Sequence, residues 1–497
     1  MTTRPRTRVP AIGRTAARLG AAALLIGLSG CGEAVRMPDA TAEMPAGWAA
    51  RDDAKAGELG SDWVRGFGSR ELEHLVALGD ADNLDVAAAT ARIAQAQAEL
   101  AGARAALGPS VDGSAEAART VTPGTRSAWS PPFKANVADS YQLGLSGSWT
   151  IDLSGRLRAL TAAAGETARA TRIERDAVRL TTATAIADAW LRVGAAREQV
   201  RIARESVTTA ERTLSVYKRR LEVGTATALD LAQQESLVAA QRAAIPDLEI
   251  EARQTRNALV VLTGRVPEAL DPKIATVSGV RVPRIAAGVP SLLLTRRPDV
   301  AVAEANLAAQ AANVEAARAA FLPQLSLTGS TGLASAFLKN LLRPDAVASQ
   351  AAAGLTAPIF DSGARGADLD LARGRHAELV ATYRATVHQA LADVENALIA
   401  VEQNRRHEQL QQAVVAAARK AQRLTEERLA EGTIDVTTVL EAERTLFSAQ
   451  QTLVTVRLAR LRAVVQLAGA LGGGWDAAAP ASVAAVSAAT DTGRATP

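Results

Sequence analysis

The sequence predicts a mainly α-helical chain with a small β part, built from two copies of one module. Three observations carry this. Two segments align without a gap at an offset of 214: Asp85-Val86-Ala87 through Arg104-Ala105-Ala106 to Pro109, and Asp299-Val300-Ala301 through Arg318-Ala319-Ala320 to Pro323. No proline occurs from Arg156 to Val223 or from Gly363 to Glu431. At about 1.5 Å per residue such stretches permit helices approaching ~100 Å. Ahead of each lie runs that alternate apolar and polar residues, the period of a two-faced strand. A repeat of this length is too long for a solenoid unit, so each copy is a substantial module of its own.

The chain opens on a targeting segment. Arg4, Arg6, Arg8, Arg14 and Arg18 precede an apolar run from Leu19 to Leu28, and the first acid is Glu33. A basic start and a short apolar core read as a secretory signal, and the run is shorter than the about 20 residues a spanning helix needs. It ends in Leu28-Ser29-Gly30-Cys31, which resembles the bacterial lipoprotein cleavage site. Residues 1–30 are therefore expected to be removed and Cys31 to carry a covalent lipid, whose burial contributes about 0.8 kcal/mol per CH2. Gly32 follows, where an Asp often marks retention in the inner membrane.

Cys31 is the only cysteine of the 497 residues. That excludes an intramolecular disulfide, an all-cysteine zinc site and a cysteine-ligated iron–sulfur cluster. The formal net charge of +4 becomes −1 once the five leader arginines are gone, so the basic balance gives no support to a nucleic-acid partner. No cofactor beyond the lipid is expected. The four histidines are scattered, and His376 and His388 lie about 18 Å apart along one helix, too far for a shared metal.

Within each module a helix ends at Pro109 or Pro323, and strands follow. The clearest strand runs Tyr141, Leu143, Leu145, Gly147, Trp149, Ile151, Leu153, with Gln142, Gly144, Ser146, Ser148, Thr150 and Asp152 between them. Weaker partners are Val111 to Ala117, Leu325 to Thr331 and Val347 to Ile359, separated by polar connections at 120–139 and 333–346. The long helices carry apolar residues at three-to-four spacing (Ile186, Trp190, Val193, Val200, Val207, Leu214), reach a Gly-Thr turn, and return along Leu229 to Leu262 or Val439 to Leu471. This is the pattern of two antiparallel coiled-coil hairpins. Pro246 is expected to kink or break the first return helix, and its counterpart lacks a proline.

Strands apolar on one face suit a membrane barrel, but four cannot close one, because the smallest have about eight. An open edge is intolerable in lipid, so several chains must contribute: two give eight strands, three give twelve. The soluble alternative is a small antiparallel sheet capping a coiled coil. Trp129, Phe133, Tyr141, Trp149 and Phe360 cluster in or beside the strands, where an interfacial aromatic girdle would draw its residues.

Leu294-Thr295-Arg296-Arg297-Pro298-Asp299-Val300, then Ala303-Glu304 and Ala317-Arg318-Ala319 through Phe321-Leu322-Pro323, closely resembles the signature of the TolC-like outer-membrane efflux factors. The subgroup it looks like is the lipoproteins of RND-type tripartite systems. Trp149 to Gly155, Pro358 to Gly363, Ile245-Pro246 and both Gly-Thr turns fit as well, so the resemblance spans about residues 60 to 472. It implies a homotrimer in the outer membrane with a twelve-stranded barrel and a periplasmic α-barrel. Substrate would pass without chemistry, driven by an inner-membrane pump and joined by a periplasmic adaptor, a membrane fusion protein.

The expected organisation is a signal at 1–30, an N-terminal equatorial segment at 31–82, a first repeat at 83–283 and a second at 284–472. The first holds a β-hairpin at 109–153 and a helical hairpin at 156–262; the second holds them at 323–361 and 363–471. Residues 473–497, rich in Ala, Ser, Thr and Pro, are expected to form a mobile tail.

The resemblance also nominates working residues. The adaptor would meet the hairpin turns at Arg220, Leu221, Val223, Gly224 and Thr225, and at Arg428, Leu429, Glu431, Gly432 and Thr433. Gly224 and Gly432 also suit helix ends that need left-handed geometry. The family's tunnel closes just past the second turn with acids one helical turn apart. Those positions here are Thr438 and Glu441, the first acid being absent, and Asp230 holds a comparable place in the first copy. Carboxylates crowded in a narrow ring attract cations and resist simultaneous ionisation. A solvated Glu441 paired with Arg444 is the plainer reading.

No catalytic pattern is present: no Gly-x-Ser-x-Gly elbow, phosphate loop, His-Glu-x-x-His or dinucleotide fingerprint. The rival functions are a duct for type I protein secretion or metal efflux and, in another class, a lipid-anchored coiled-coil scaffold without a pore.

Overall fold

The computed structural model describes residues 41–42, 44–50, 63–122 and 136–475. The signal at 1–30, Cys31, Trp129, Phe133 and the tail beyond 475 lie outside the described residues. In order, the longer elements are α1 (Arg70–Asp82), α2 (Leu84–Ala105), β1 (Ser110–Thr122), β2 (Asn136–Ile151), α3 (Arg156–Glu222), α4 (Ala228–Leu262), α5 (Pro298–Ala319), β3 (Gln324–Ser335), β4 (Val347–Thr356), α6 (Ala364–Glu431) and α7 (Val436–Ala470). Helices α3 and α6 run 67 and 68 residues without interruption. Each pairs with its return helix, α3 with α4 and α6 with α7, while α2 and α5 pack along α3. Pro246 sits inside α4 without ending it, so the expected break does not occur.

The four strands form one antiparallel sheet in the order β1-β2-β3-β4, and among the described residues β1 and β4 are its free edges. Its register decides the chemistry of its faces. Ala115, Leu143, Leu333 and Val347 lie side by side on one face, and so do Ile151, Leu325 and Leu355. Trp149 pairs with Leu327 on that face, and Tyr141 sits eight residues further along the same strand. The opposite face carries Asp112 beside Ser146, Ser330 and Gln350, and Glu116 beside Gln142. The first of these sides is mostly apolar in every strand, its polar members including the Thr331–Ser349 hydroxyl pair and, beyond Tyr141, the Arg119–Asp139 ion pair. Tyr141 and Trp149 are about 26 Å apart along the strand, close to the roughly 25 Å apolar band of an outer-membrane barrel. Among the described residues, no helix is long and apolar enough to cross a membrane. Gly332 faces Gly144 across the strands so closely that a Cβ there would stand 2.5 Å from the Leu143 carbonyl oxygen.

The strand-to-helix corners use the same parts in both copies, an upstream aspartate and a left-handed glycine, at spacings of three and two residues. Gly155 and Gly363 take positive φ (79° and 90°), and the aspartate before each caps the helix behind it. Asp152 accepts from the Arg158 backbone N–H at 2.9 Å, and Asp361 from Gly363 at 3.0 Å and Arg365 at 3.2 Å.

The main core gathers at mid-helix. Trp63, Phe67, Leu72 and Leu75 pack against Ile186, Trp190 and Leu191 of α3, Leu259 of α4, Val394 of α6 and Leu461 and Leu467 of α7. Here the duplication shows in three dimensions. Asn83 donates Nδ2 to the Leu262 carbonyl at 2.9 Å, and Arg297 donates Nη1 to the Ala470 carbonyl at 3.1 Å. Behind each lies a positive-φ glycine, Gly264 against the Asp82 carbonyl and Gly472 against the Arg296 carbonyl, where no Cβ would fit. Arg297 also reaches Asp299 at 2.6 Å and Asp393 at 3.1 Å. Burial pulls its pKa down, but Asp299 and Asp393 more than offset this and raise it. The Arg-Arg-Pro-Asp block is therefore a staple tying α5 to α6 and to the end of α7.

Candidate functional site

The two hairpin turns are the same local structure. At the end of α3 the Thr225 N–H bonds the Arg220 carbonyl at 2.8 Å and the Gly224 N–H bonds that of Leu221 at 3.0 Å. At the end of α6, Thr433 bonds Arg428 at 3.0 Å and Gly432 bonds Leu429 at 3.1 Å. This double closure requires left-handed backbone, met by Gly224 (φ 74°) and Gly432 (φ 79°). Each threonine hydroxyl repeats its own backbone bond, so Thr225 and Thr433 lock the turns.

The helices leaving the turns are capped by exchanged residues. Thr227 opens α4 and bonds reciprocally with Asp230, whose carboxylate accepts from the Thr227 N–H at 2.8 Å. Asp435 opens α7 and accepts from the Thr438 N–H at 2.8 Å and its hydroxyl at 3.1 Å. Asp230 and Thr438 thus serve as cap partners in this chain. Glu441, one turn further on, is exposed, and among the described residues it makes no ion pair with Arg444.

A small core holds the two tips together: Tyr217, Leu237, Leu429, Val436, Val439 and Leu440. Leu429 is only 4% exposed, so it supports the tip from within. The Arg220 guanidinium crosses to the Leu429 carbonyl and ties the first hairpin to the second. Val223, Gly224, Thr225, Arg428, Glu431, Gly432 and Thr433 are exposed, with Leu221 and Arg220 half-buried.

Just inside the tips lies a buried polar cluster that the sequence reading missed. Glu443 of α7 accepts from the Thr213 hydroxyl of α3 at 2.7 Å, and the Gln234 amide of α4 stands 3.4 Å away. Burial drives the Glu443 carboxyl above the usual carboxylate range, helped by Glu426 and opposed by Thr213 and Gln234. Tyr217 is pushed up to about 12, chiefly by burial, with Asp230, Asp435 and Glu443 adding to it against Arg220. The signal was legible: Val436, Val439, Leu440, Glu443, Leu446 and Ala449 form the buried stripe of α7, and Glu443 is its one charged member.

Two stretches, residues 78–265 and 289–473, each match the family described as outer membrane efflux protein. The chain belongs to the outer membrane efflux protein family. The double match coincides with the two structural copies. The pyoverdine export outer membrane protein OpmQ of Pseudomonas putida strain KT2440 is 38% identical over 441 residues, covering 88% of this chain and 93% of its own. The outer membrane protein OprJ of Pseudomonas aeruginosa is 33% identical over 419 residues, covering 84% and 86%. The crystal structure of the open state of the Neisseria gonorrhoeae MtrE outer membrane channel superposes with a TM-score of 0.78 at 27% identity, covering 89% of this chain and 98% of MtrE. The chain is thus an outer-membrane efflux channel of TolC-like fold, with two helical hairpins and a four-stranded share of a barrel.

Proposed function

We propose that this efflux channel is a homotrimer serving as the exit duct of a tripartite system. Its barrel has twelve strands, and its hairpin tips receive a periplasmic adaptor that joins it to an inner-membrane RND-type pump. The observation that carries this is the sheet: four strands in one register, apolar on one face and polar on the other, with both edges free. An isolated sheet of that kind cannot remain in lipid, and joining β4 of one copy to β1 of the next removes every edge. Cys31, acylated after removal of residues 1–30, tethers each chain to the membrane. Cargo moves by passive conduction, without catalysis by this chain.

Glu441 lines the periplasmic constriction in this reading, repeated three times by symmetry, with Thr438 and Asp230 beside it as capping residues. Single-channel recording in planar bilayers tests both parts. Purified protein is expected to conduct, and Glu441→Ala to raise conductance and weaken block by multivalent cations. Protein that inserts without conducting would support a scaffold instead. Conductance and block that Glu441→Ala leaves unchanged would remove that residue from the constriction.

A further inference from the structure

The two turns share one backbone but present opposite surfaces. At a constant offset of 208, Lys218, Arg219 and Val223 of the first tip correspond to Glu426, Glu427 and Glu431 of the second, and Leu229 corresponds to Thr437. Val223 and Leu229 are 72% and 66% exposed, on either side of the Gly224 turn. From 218 to 230 the first tip has three cations and two acids; from 426 to 438 the second has one cation and four acids. Lys218 and Arg219 are exposed, as are Glu426, Glu427 and Glu431. Within one chain the apolar pair is not needed by the tip core, which is completed by Leu231 and Leu237 from the same helix.

We infer that the first tip is the primary docking point for the adaptor, through an apolar pair, Val223 and Leu229, on a tip whose formal charge is +1 against −3 for the second. The partner that fits is a helical-hairpin end bearing an apolar side chain flanked by carboxylates. That same partner meets like charge at the second tip, so the two tips of each chain are unequal sites. Apolar burial supplies the affinity of the first, and charge supplies the discrimination between them. The inference rests on the reading of the hairpin ends as the adaptor site and adds which end dominates.

A swap tests it. A photo-crosslinking residue is placed at Thr225 or at Thr433, equivalent exposed positions, in the full chain in its native host, and crosslinked peptides are sequenced. Crosslinking to a periplasmic helical-hairpin protein from position 225 should exceed that from 433 by about tenfold. Val223→Glu with Leu229→Thr should remove that excess, and Glu431→Val with Thr437→Leu should raise the yield at 433. The crosslinked peptide should carry Asp or Glu near its apolar contact, and higher salt should lower the yield from 225. Unaltered electrophoretic mobility of the unheated oligomer shows that each variant has assembled. Equal yields from both positions, or yields that the swaps leave unchanged, would overturn the inequality while leaving adaptor docking intact. Crosslinks at both positions only to other copies of this chain would overturn the docking reading as well.

Discussion

Glu443 is an acid set into an apolar seam, with one hydroxyl at 2.7 Å and one amide at 3.4 Å as its partners. Its raised pKa means the folded protein favours the protonated form. Its contribution to stability is then fullest below the ordinary carboxylate range and falls as pH rises through the raised value. Glu443→Gln should therefore protect amides of the tip segments of α3 and α7 against hydrogen exchange more strongly at about pH 8 than at about pH 5. Equal protection at both would show that the carboxyl does not change its ionisation between those pH values. Arg297 poses the opposite case, a buried cation held by two aspartates and a carbonyl. Arg297→Ala should cost about 1–3 kcal/mol in denaturant unfolding, since it removes the bonds to Asp299 and the Ala470 carbonyl and leaves Asp393 with Gln389 alone. Arg297→Lys should recover only part, because a single ammonium cannot fork to both carboxylates. This arginine stands in the block that carried the family resemblance, yet its work is structural. The sequence shows the block, whereas its partners at 393 and 470 are supplied by tertiary folding.

At the scale of elements, period was the legible quantity. Tyr141 to Ile151 alternates so regularly that β2 and its apolar face could be read directly. Strand β4 starts where expected but ends at Thr356 rather than Ile359, and β1, β2 and β3 extend into the stretches 120–139 and 333–346 read as connections. What period could not show was the register between strands, which aligns Leu143 with Leu333 and Gly144 with Gly332. The register makes a sharp prediction. Leu145→Arg, on the apolar face, should destabilise the membrane-inserted protein by about 2–4 kcal/mol if it lies near the bilayer midplane. Gln142→Arg on the opposite face should cost far less, and reversible folding into vesicles compares the two. Equal costs would mean that both faces meet water. Pro246 shows the converse limit: helix α4 runs through it, because long-range packing on α3 holds a segment that local preference would interrupt.

At the scale of the whole molecule, the duplication extends to individual contacts. Gly264 and Gly472 face the same neighbouring backbone, and Asn83 and Arg297 make the same bond with different chemistry. The copies diverge at the tips, Lys218 against Glu426 and Val223 against Glu431, where the inferred inequality of docking lies. Those differences were present in the sequence, but their meaning depended on knowing which side chains the tip core consumes, Leu429 among them. In the proposed assembly a four-stranded share with two free edges is completed by two further copies. Native mass spectrometry of the detergent-extracted protein measures this most directly. One species is expected, of three identical mature chains, each beginning at an acylated Cys31. A stable species of one or two chains that still conducts across a bilayer would contradict that assembly.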